Sequence, residues 1–268
     1  MRLASVAVAS ALLLTGCGAA DTTAAADGAG PPPTLAPRAL ASSADDAPSG
    51  AAAVVPPPPP AAPDGGSGVV VGHVIGETIT AHTEPDAASP VVAELANPTE
   101  VGGPLVFQLV ENEVPSGPWT EVLLPVRPNG TTGFVPTDQL SLSRNPYRIE
   151  IDRADHRLRV YRDATLWLDT EVAIGTGDTP TPVGRFYIIE LLQPPTAGGV
   201  YGPFAFGLSG FSETLTRFAG GDGVIGIHGT NDPESIGSDV SHGCVRLHNE
   251  VIIAMAGVIP LGTPVIIA

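Results

Sequence analysis

Ser241-His242-Gly243-Cys244-Val245-Arg246-Leu247, preceded by Ile227-His228-Gly229-Thr230, is the part of this chain from which the rest is best read. A cysteine stands between a glycine and a short apolar residue, with His242 two positions before it and His228 sixteen before it. A thiol is a weak nucleophile until it loses its proton, and a neighbouring imidazole is the usual acceptor. Gly243 keeps one side of the sulfur open and lets the backbone N–H groups of Gly243 and Cys244 reach a developing oxyanion. These are the parts of a cysteine acyl-transfer site with Cys244 as nucleophile. His228 and His242 are both candidates for the base, because neither pKa nor geometry is written in a sequence.

The pattern resembles the catalytic signature of the L,D-transpeptidases, the YkuD family. Ile174-Gly175-Thr176-Gly177, Thr181-Pro182-Val183-Gly184-Arg185-Phe186 and Ile227-His228-Gly229-Thr230 precede the signature in the family's order, and the resemblance covers roughly Tyr147 to Ala268. It implies a partly open β-sandwich, a thioester on Cys244, His228 rather than His242 as the general base, and a backbone carbonyl at Gly229 that holds the second ring nitrogen of His228. It implies a peptidoglycan tetrapeptide stem as substrate, cut between the L-centre of a third-position diamino acid and a terminal D-alanine. The side-chain amine of another stem's third residue as acceptor gives a 3→3 cross-link. Water as acceptor makes the same enzyme an L,D-carboxypeptidase. No cofactor is implied. Ser241, Gly243, Gly229, Arg246 and Tyr201 are the candidate oxyanion and substrate-binding residues. Arg246 either holds the Cys244 loop, pairs with a substrate carboxylate, or is salt-bridged for structure. His242, if not the base, supports the oxyanion or walls the pocket.

Three other readings compete. His228, His242, Cys244 and His248 are zinc-type ligands, yet they lack the clip spacings of structural zinc sites and offer one thiolate. Cys244 as a buried core residue is the ordinary fate of a free cysteine, against which its polar and glycine neighbours argue. A wall-binding lipoprotein with an inert transpeptidase-like domain is the third, opposed by the completeness of the signature. His248 reads as a surface histidine.

Composition narrows the field. The formal charge is −16, from 28 acidic residues and twelve arginines with no lysine. A lysine nucleophile or Schiff base is thereby excluded, and a nucleic-acid partner is disfavoured because phosphate binding needs clustered positive charge. The net charge is −10 over residues 1–145 and −6 over 146–268. Cys17 and Cys244 have such different settings that no disulfide between them is expected.

Residues 1–16 read as a secretory leader, with Arg2 and a short apolar run ending Leu14-Thr15-Gly16-Cys17. That ending looks like a bacterial lipobox, in which the leader is cut before Cys17 and the cysteine is acylated. An ordinary signal peptide cut nearby is the alternative. Several acyl chains would anchor the chain stably at the outer face of the cell membrane. Residues 17–68 form a linker of Ala, Pro, Gly, Ser, Thr and Asp, with Pro56 to Pro60 unbroken. It lacks the apolar residues that offset ordering entropy, so it is expected to be disordered. Its length gives ~40 Å as a coil and ~160 Å fully extended, enough to hold an enzyme at a membrane beneath a wall.

Residues 69–142 return to short β-branched runs separated by Pro, Gly and Asn, which predicts a small β module. Trp119-Thr120-Glu121-Val122, a turn at Asn129-Gly130 and Gly133-Phe134-Val135 resemble the end of a bacterial SH3-like barrel. Such modules bind the wall or position a domain. Nine acids against Arg127 between 69 and 141 speak against an anionic polymer, so a plain spacer is equally open. Residues 146–268 make the catalytic domain. Alternation predicts strands at Arg148–Asp152, Arg157–Tyr161, Thr170–Ile174, Gly184–Leu192, Val224–His228 and Thr263–Ile267, and a helix at Asn249–Ala256. Residues 193–223 are read as one long loop, a lid whose Tyr201, Phe204 and Phe206 line the site. Those aromatics packing the core is the competing role. The whole is expected to be mainly β.

Overall fold

The computed structural model describes residues 55–60, 68–217 and 222–268. The expected leader, Cys17 and most of the linker lie outside the described residues.

Seven strands form the first sheet: β1 (Val69–Val74), β2 (Thr78–His82), β3 (Val91–Ala96), β4 (Val106–Leu109), β5 (Trp119–Leu123), β6 (Thr132–Pro136) and β7 (Leu140–Asn145). They pair antiparallel in the order β3-β2-β6-β5-β4-β1-β7. One face is a core of Val70, Ile79, Phe107, Leu109, Val122 and Val135. β4 is buried along its whole length. Phe107 and Leu109 face that core, while Val106 turns to the second sheet. The β5–β6 turn falls at Asn129-Gly130, where Gly130 takes φ +82°, a region open to glycine. β7 runs three residues past the expected end at 142 and leads straight into the second sheet.

That sheet is built from β8 (Tyr147–Asp152), β9 (Arg157–Arg162), β10 (Thr165–Glu171), β11 (Ile174–Gly175), β12 (Gly184–Leu192), β13 (Ala205–Phe211), β14 (Val224–His228), β15 (Asp239–Ser241), β16 (Val245–Arg246), α1 (Asn249–Ala256) and β17 (Pro264–Ile267). Eight of the strands run β10-β9-β8-β17-β12-β13-β14-β16, while β11 and β15 pair apart. β12 belongs to two neighbourhoods. Gly184–Tyr187 pair with β17, and the remainder pairs with β13 across a register shift between Ile188 and Glu190. The halves on either side of it share one core, with Ile149, Leu158 and Val265 from one and Phe206, Leu208 and Ile227 from the other. α1 occupies the expected residues and puts Val251, Ile252 and Met255 into that core. The chain is mainly β, and no helix among the described residues is long and apolar enough to cross a membrane.

Two expectations need correction. The strand placed at Thr170–Ile174 is instead β10, ending at Glu171, followed by the two-residue β11. A bulge between Leu166 and Leu168 buries the consecutive Trp167 and Leu168, which breaks the alternation from which the strand was read. The single loop at 193–223 is interrupted by β13, and Phe206 is fully buried in the core rather than lining a lid. Phe204 is partly buried against that same core. Gly207 and Gly210 concealed this strand. A Cβ on either would come within 2.4 Å of Glu190 Oε1 or the Phe186 ring, side chains that cross the bare backbone from β12.

Candidate active site

β14 and β16 lie side by side and parallel, with Ile227 opposite Val245 and His228 opposite Arg246. Ile227 and Val245 are fully buried in the core. Side chains alternate along strands, so Gly226 and His228 on one strand, and Cys244 and Arg246 on the other, share the opposite face. Cys244 as a residue is half-buried. It accepts the Gly226 N–H at 3.4 Å. Cys244 is not among the residues of the hydrophobic core on the other face.

His228 is buried at the end of β14, and its Nδ1 lies 2.6 Å from the Gly229 carbonyl. A carbonyl can only accept, so Nδ1 carries the proton and Nε2 is left with its lone pair. The Tyr201 ring stands edge-on to the imidazole, centroids 5.0 Å apart. Burial drives the His228 pKa down to about 4; the Gly229 hydrogen bond opposes this and the Arg246 charge adds to it. Burial also pushes the Cys244 thiol up, against the Gly226 N–H and the Arg246 guanidinium, which favour the thiolate. Tyr201 is raised by burial and then by the Cys244 charge. The resting pair is therefore neutral thiol and neutral imidazole.

Arg246 is tied to the body of the domain through its backbone, which exchanges hydrogen bonds with Ala173 at 2.8 and 3.1 Å. Its side chain has no carboxylate partner among the described residues, and its Nε is buried without a hydrogen bond. The structural salt bridge considered from sequence is absent there. Ser241 is buried, and its Oγ donates to the Cys244 carbonyl at 2.5 Å while accepting the Gly243 N–H at 3.1 Å. The Gly243 N–H thus has an acceptor in the Ser241 hydroxyl. Gly243 is required for another reason. Its φ is +116°, and a Cβ would meet Ile225 Cδ1 at 2.9 Å. His242 is exposed between these two buried neighbours, whereas His228 is buried. His248 sits at the N-cap of α1. Among the described residues, no three His, Cys, Asp or Glu side chains cluster so as to hold a metal ion.

The earlier motif blocks converge on the same loop. Thr176 N–H and Thr179 Oγ1 both donate to the Ser241 carbonyl, at 3.0 and 3.3 Å, and Gly175 N–H donates to Thr181 Oγ1 at 2.9 Å. One organising residue escaped the sequence reading. Asn249, the first residue of α1, accepts the Thr230 N–H on Oδ1 at 2.9 Å. A Cβ at Gly202 or Gly229 would come within 2.4 or 2.3 Å of that same oxygen. Asn249 thus ties the end of the His228 strand to the helix, with the bare backbone of Gly202 and Gly229 packed close to its amide. Its only sequence signal is an amide side chain at a helix start two residues after the signature.

Comparison of the sequence with known proteins matches it to a family. A family model for the L,D-transpeptidase catalytic domain, YkuD, fits residues 146–267. The YkuD protein of Bacillus licheniformis is 37% identical over 120 residues, 45% of this chain and 64% of that protein. The YqjB protein of Bacillus subtilis is 33% identical over 140 residues, 49% of this chain and 76% of that protein. Both bear the L,D-transpeptidase name. The chain spans just under two thirds of the Bacillus licheniformis relative. Among solved structures, an L,D-transpeptidase from Mycobacterium tuberculosis H37Rv aligns with a TM-score of 0.40 and 16% identity, over 60% of this chain and 75% of that one.

Proposed function

We propose, from the premise that this chain belongs to the YkuD family of L,D-transpeptidases, that it cross-links peptidoglycan stems through a thioester on Cys244. The observation that carries the proposal is the parallel pairing of β14 and β16, with half-buried Cys244 immediately before one strand and a buried, tautomerically fixed imidazole at the end of the other.

His228 Nε2 takes the thiol proton as the sulfur attacks the carbonyl of the third-position residue of a tetrapeptide stem. The tetrahedral oxyanion is met by the Cys244 N–H. The C–N bond breaks, the proton passes from His228 to the departing D-alanine amine, and the thioester remains. The side-chain amine of a second stem's third residue then attacks and gives its proton to His228. The thiolate leaves, recovers that proton, and a 3→3 cross-link results. Arg246, with a charged side chain that lacks a carboxylate partner, receives a substrate carboxylate. Tyr201 walls the site beside His228, and the exposed His242 stands at its rim. Product analysis of the purified chain with defined tetrapeptide muropeptides tests this. Dimeric 3→3 products that vanish in Cys244→Ala are expected. Released D-alanine without dimers makes it an L,D-carboxypeptidase, and no turnover with no thioester mass adduct on Cys244 makes it an inert binder.

The proposal extends to the N-terminus. Leu14-Thr15-Gly16-Cys17 directs cleavage before Cys17 and acylation there, which holds the enzyme at the outer face of the cell membrane with 17–68 as tether. Metabolic labelling with a fatty acid should be lost in Cys17→Ala. The first sheet serves as an SH3-like positioning module rather than an anion binder, given its acidic balance.

A further inference from the structure

Of the linker, Val55 to Pro60 are described, and they lie against the second sheet. Val55 packs on the edge of its core. Trp167 Nε1 donates to the Pro56 carbonyl at 2.8 Å, and Arg162 Nη1 donates to the Pro59 carbonyl. Proline has no N–H, so a polyproline segment offers a partner only carbonyls and ring faces. A polyproline II helix repeats every three residues, so the carbonyls of residues 56 and 59 point to the same side. The two donors are set on that repeat.

The seat itself is built. Tyr147 and Arg162 are direct cross-strand partners, and the guanidinium lies over the Tyr147 ring at 5.5 Å. Trp167 stands edge-on to Tyr147, centroids 6.2 Å apart, and both rings are almost wholly buried. Trp167 is the extra residue of the β10 bulge, and a bulge is the means by which a strand re-aims one side chain. Continued back from the buried Leu168, strict alternation would expose Trp167 and bury Leu166; the bulge reverses both. An aromatic groove with N–H donors on the proline repeat is the general physics of polyproline recognition.

We propose that Tyr147, Arg162 and Trp167 form a polyproline-binding groove and that Pro56–Pro60 of the same chain is its resident ligand. The linker is then pinned to the catalytic domain at its proline run. The tether's reach is then set by the residues before Val55 rather than by the whole of 17–68. The domain also hangs from the membrane by the β10 edge rather than from the start of β1. This inference stands apart from the proposed chemistry.

Fluorine NMR of the full-length chain labelled with fluorotryptophan gives one resonance each for Trp119 and Trp167. Replacing Pro56–Pro60 by alternating Gly and Ser, with Val55 kept, leaves every strand untouched. The Trp167 resonance should move and the Trp119 resonance should not. A free peptide carrying Val-Pro-Pro-Pro-Pro-Pro should restore it saturably in that variant. In the natural linker, Trp167→Phe should speed proteolysis beside the proline run by about fivefold, the worth of one hydrogen bond. A Trp167 resonance indifferent to the swap, or a shift that the peptide does not reverse, overturns the proposal. Muropeptide cross-linking is measured in parallel and has no bearing on either result.

Discussion

At the scale of single residues, the site works from neutrality. His228 is held at about 4 rather than 6.5 by burial, and the Cys244 thiol is pushed up by burial despite its two favourable neighbours. A resting thiolate–imidazolium pair would need both shifts reversed. Alkylation of Cys244 by iodoacetamide is therefore expected to keep accelerating through the alkaline range where a free thiol titrates. A plateau already reached near neutral pH would show the ion pair instead. The acid limb of thioester formation should lie near 4 and not near 6.5. The same shift couples to folding. Between those two values the unfolded chain binds a proton that the folded chain refuses, so stability is complete above 6.5 and falls as pH drops toward 4. The difference is about 3 kcal/mol. Denaturant midpoints of wild type and His228→Gln at pH 7 and pH 4 measure it, and the variant should lose less on acidification. Arg246 lowers both pKa values, stabilising the thiolate while opposing the imidazolium. Arg246→Gln should accordingly raise both and move the whole pH profile to the alkaline side, with a higher KM if the guanidinium also holds a substrate carboxylate.

At the scale of elements, the catalytic loop is held by backbone requirements more than by side-chain contacts. Gly243→Ala places a Cβ at φ +116° within 2.9 Å of Ile225 Cδ1, a strain of about 1–3 kcal/mol. Its expected result is loss of Cys244 acylation by a carbapenem, read by mass spectrometry, with the melting temperature only modestly lowered. Asn249→Ala leaves the Thr230 N–H without its acceptor at a cost of about 1–3 kcal/mol. Asn249→Asp keeps the acceptor oxygen and should recover most of the stability; if Ala and Asp behave alike, Asn249 is not a positioning residue. These elements also mark what could be read from the sequence. The Cys244 loop, β14 and α1 were legible because each declares itself within a few consecutive residues. β13 was not, because Gly207 and Gly210 are glycine for the benefit of side chains on β12. β10 was misplaced because a bulge has no local signature. Asn249 was missed because the groups it joins, at 202, 229 and 230, are backbone brought together only by the fold.

At the scale of the molecule, the first sheet is part of the catalytic body. Val71, Val106 and Leu123 from one sheet bury Tyr187 of β12 from the other, and the Tyr187 hydroxyl donates to the Leu123 carbonyl at 3.1 Å. Asn145 donates to Thr263 Oγ1 at 2.8 Å, joining the strands that flank the crossing. Further along, Arg127 donates to the carbonyls of Ser212, Leu215 and Asp222 and stacks over Phe211, while Asn129 exchanges two 2.8 Å bonds with the Phe211 backbone. One arginine in the acidic first sheet thus fastens both sides of the connection between β13 and β14, the strand that ends in His228. A spacer hung on a linker would show none of this. The two sheets should then melt as one cooperative unit, with equal calorimetric and van't Hoff enthalpies. Gly262 tests the junction directly, since it takes φ +79° and a Cβ would lie 2.4 Å from Val71 Cγ1. Gly262→Ala should destabilise by about 1–3 kcal/mol by pressing on Val71 of β1 in the junction between the sheets. If the sheets are one unit, it lowers a single transition seen alike by Trp119 fluorescence and by Cys244 acylation. Two transitions in the wild type, or a Gly262→Ala that moves neither probe, would make the first sheet the independent spacer that its sequence also allowed.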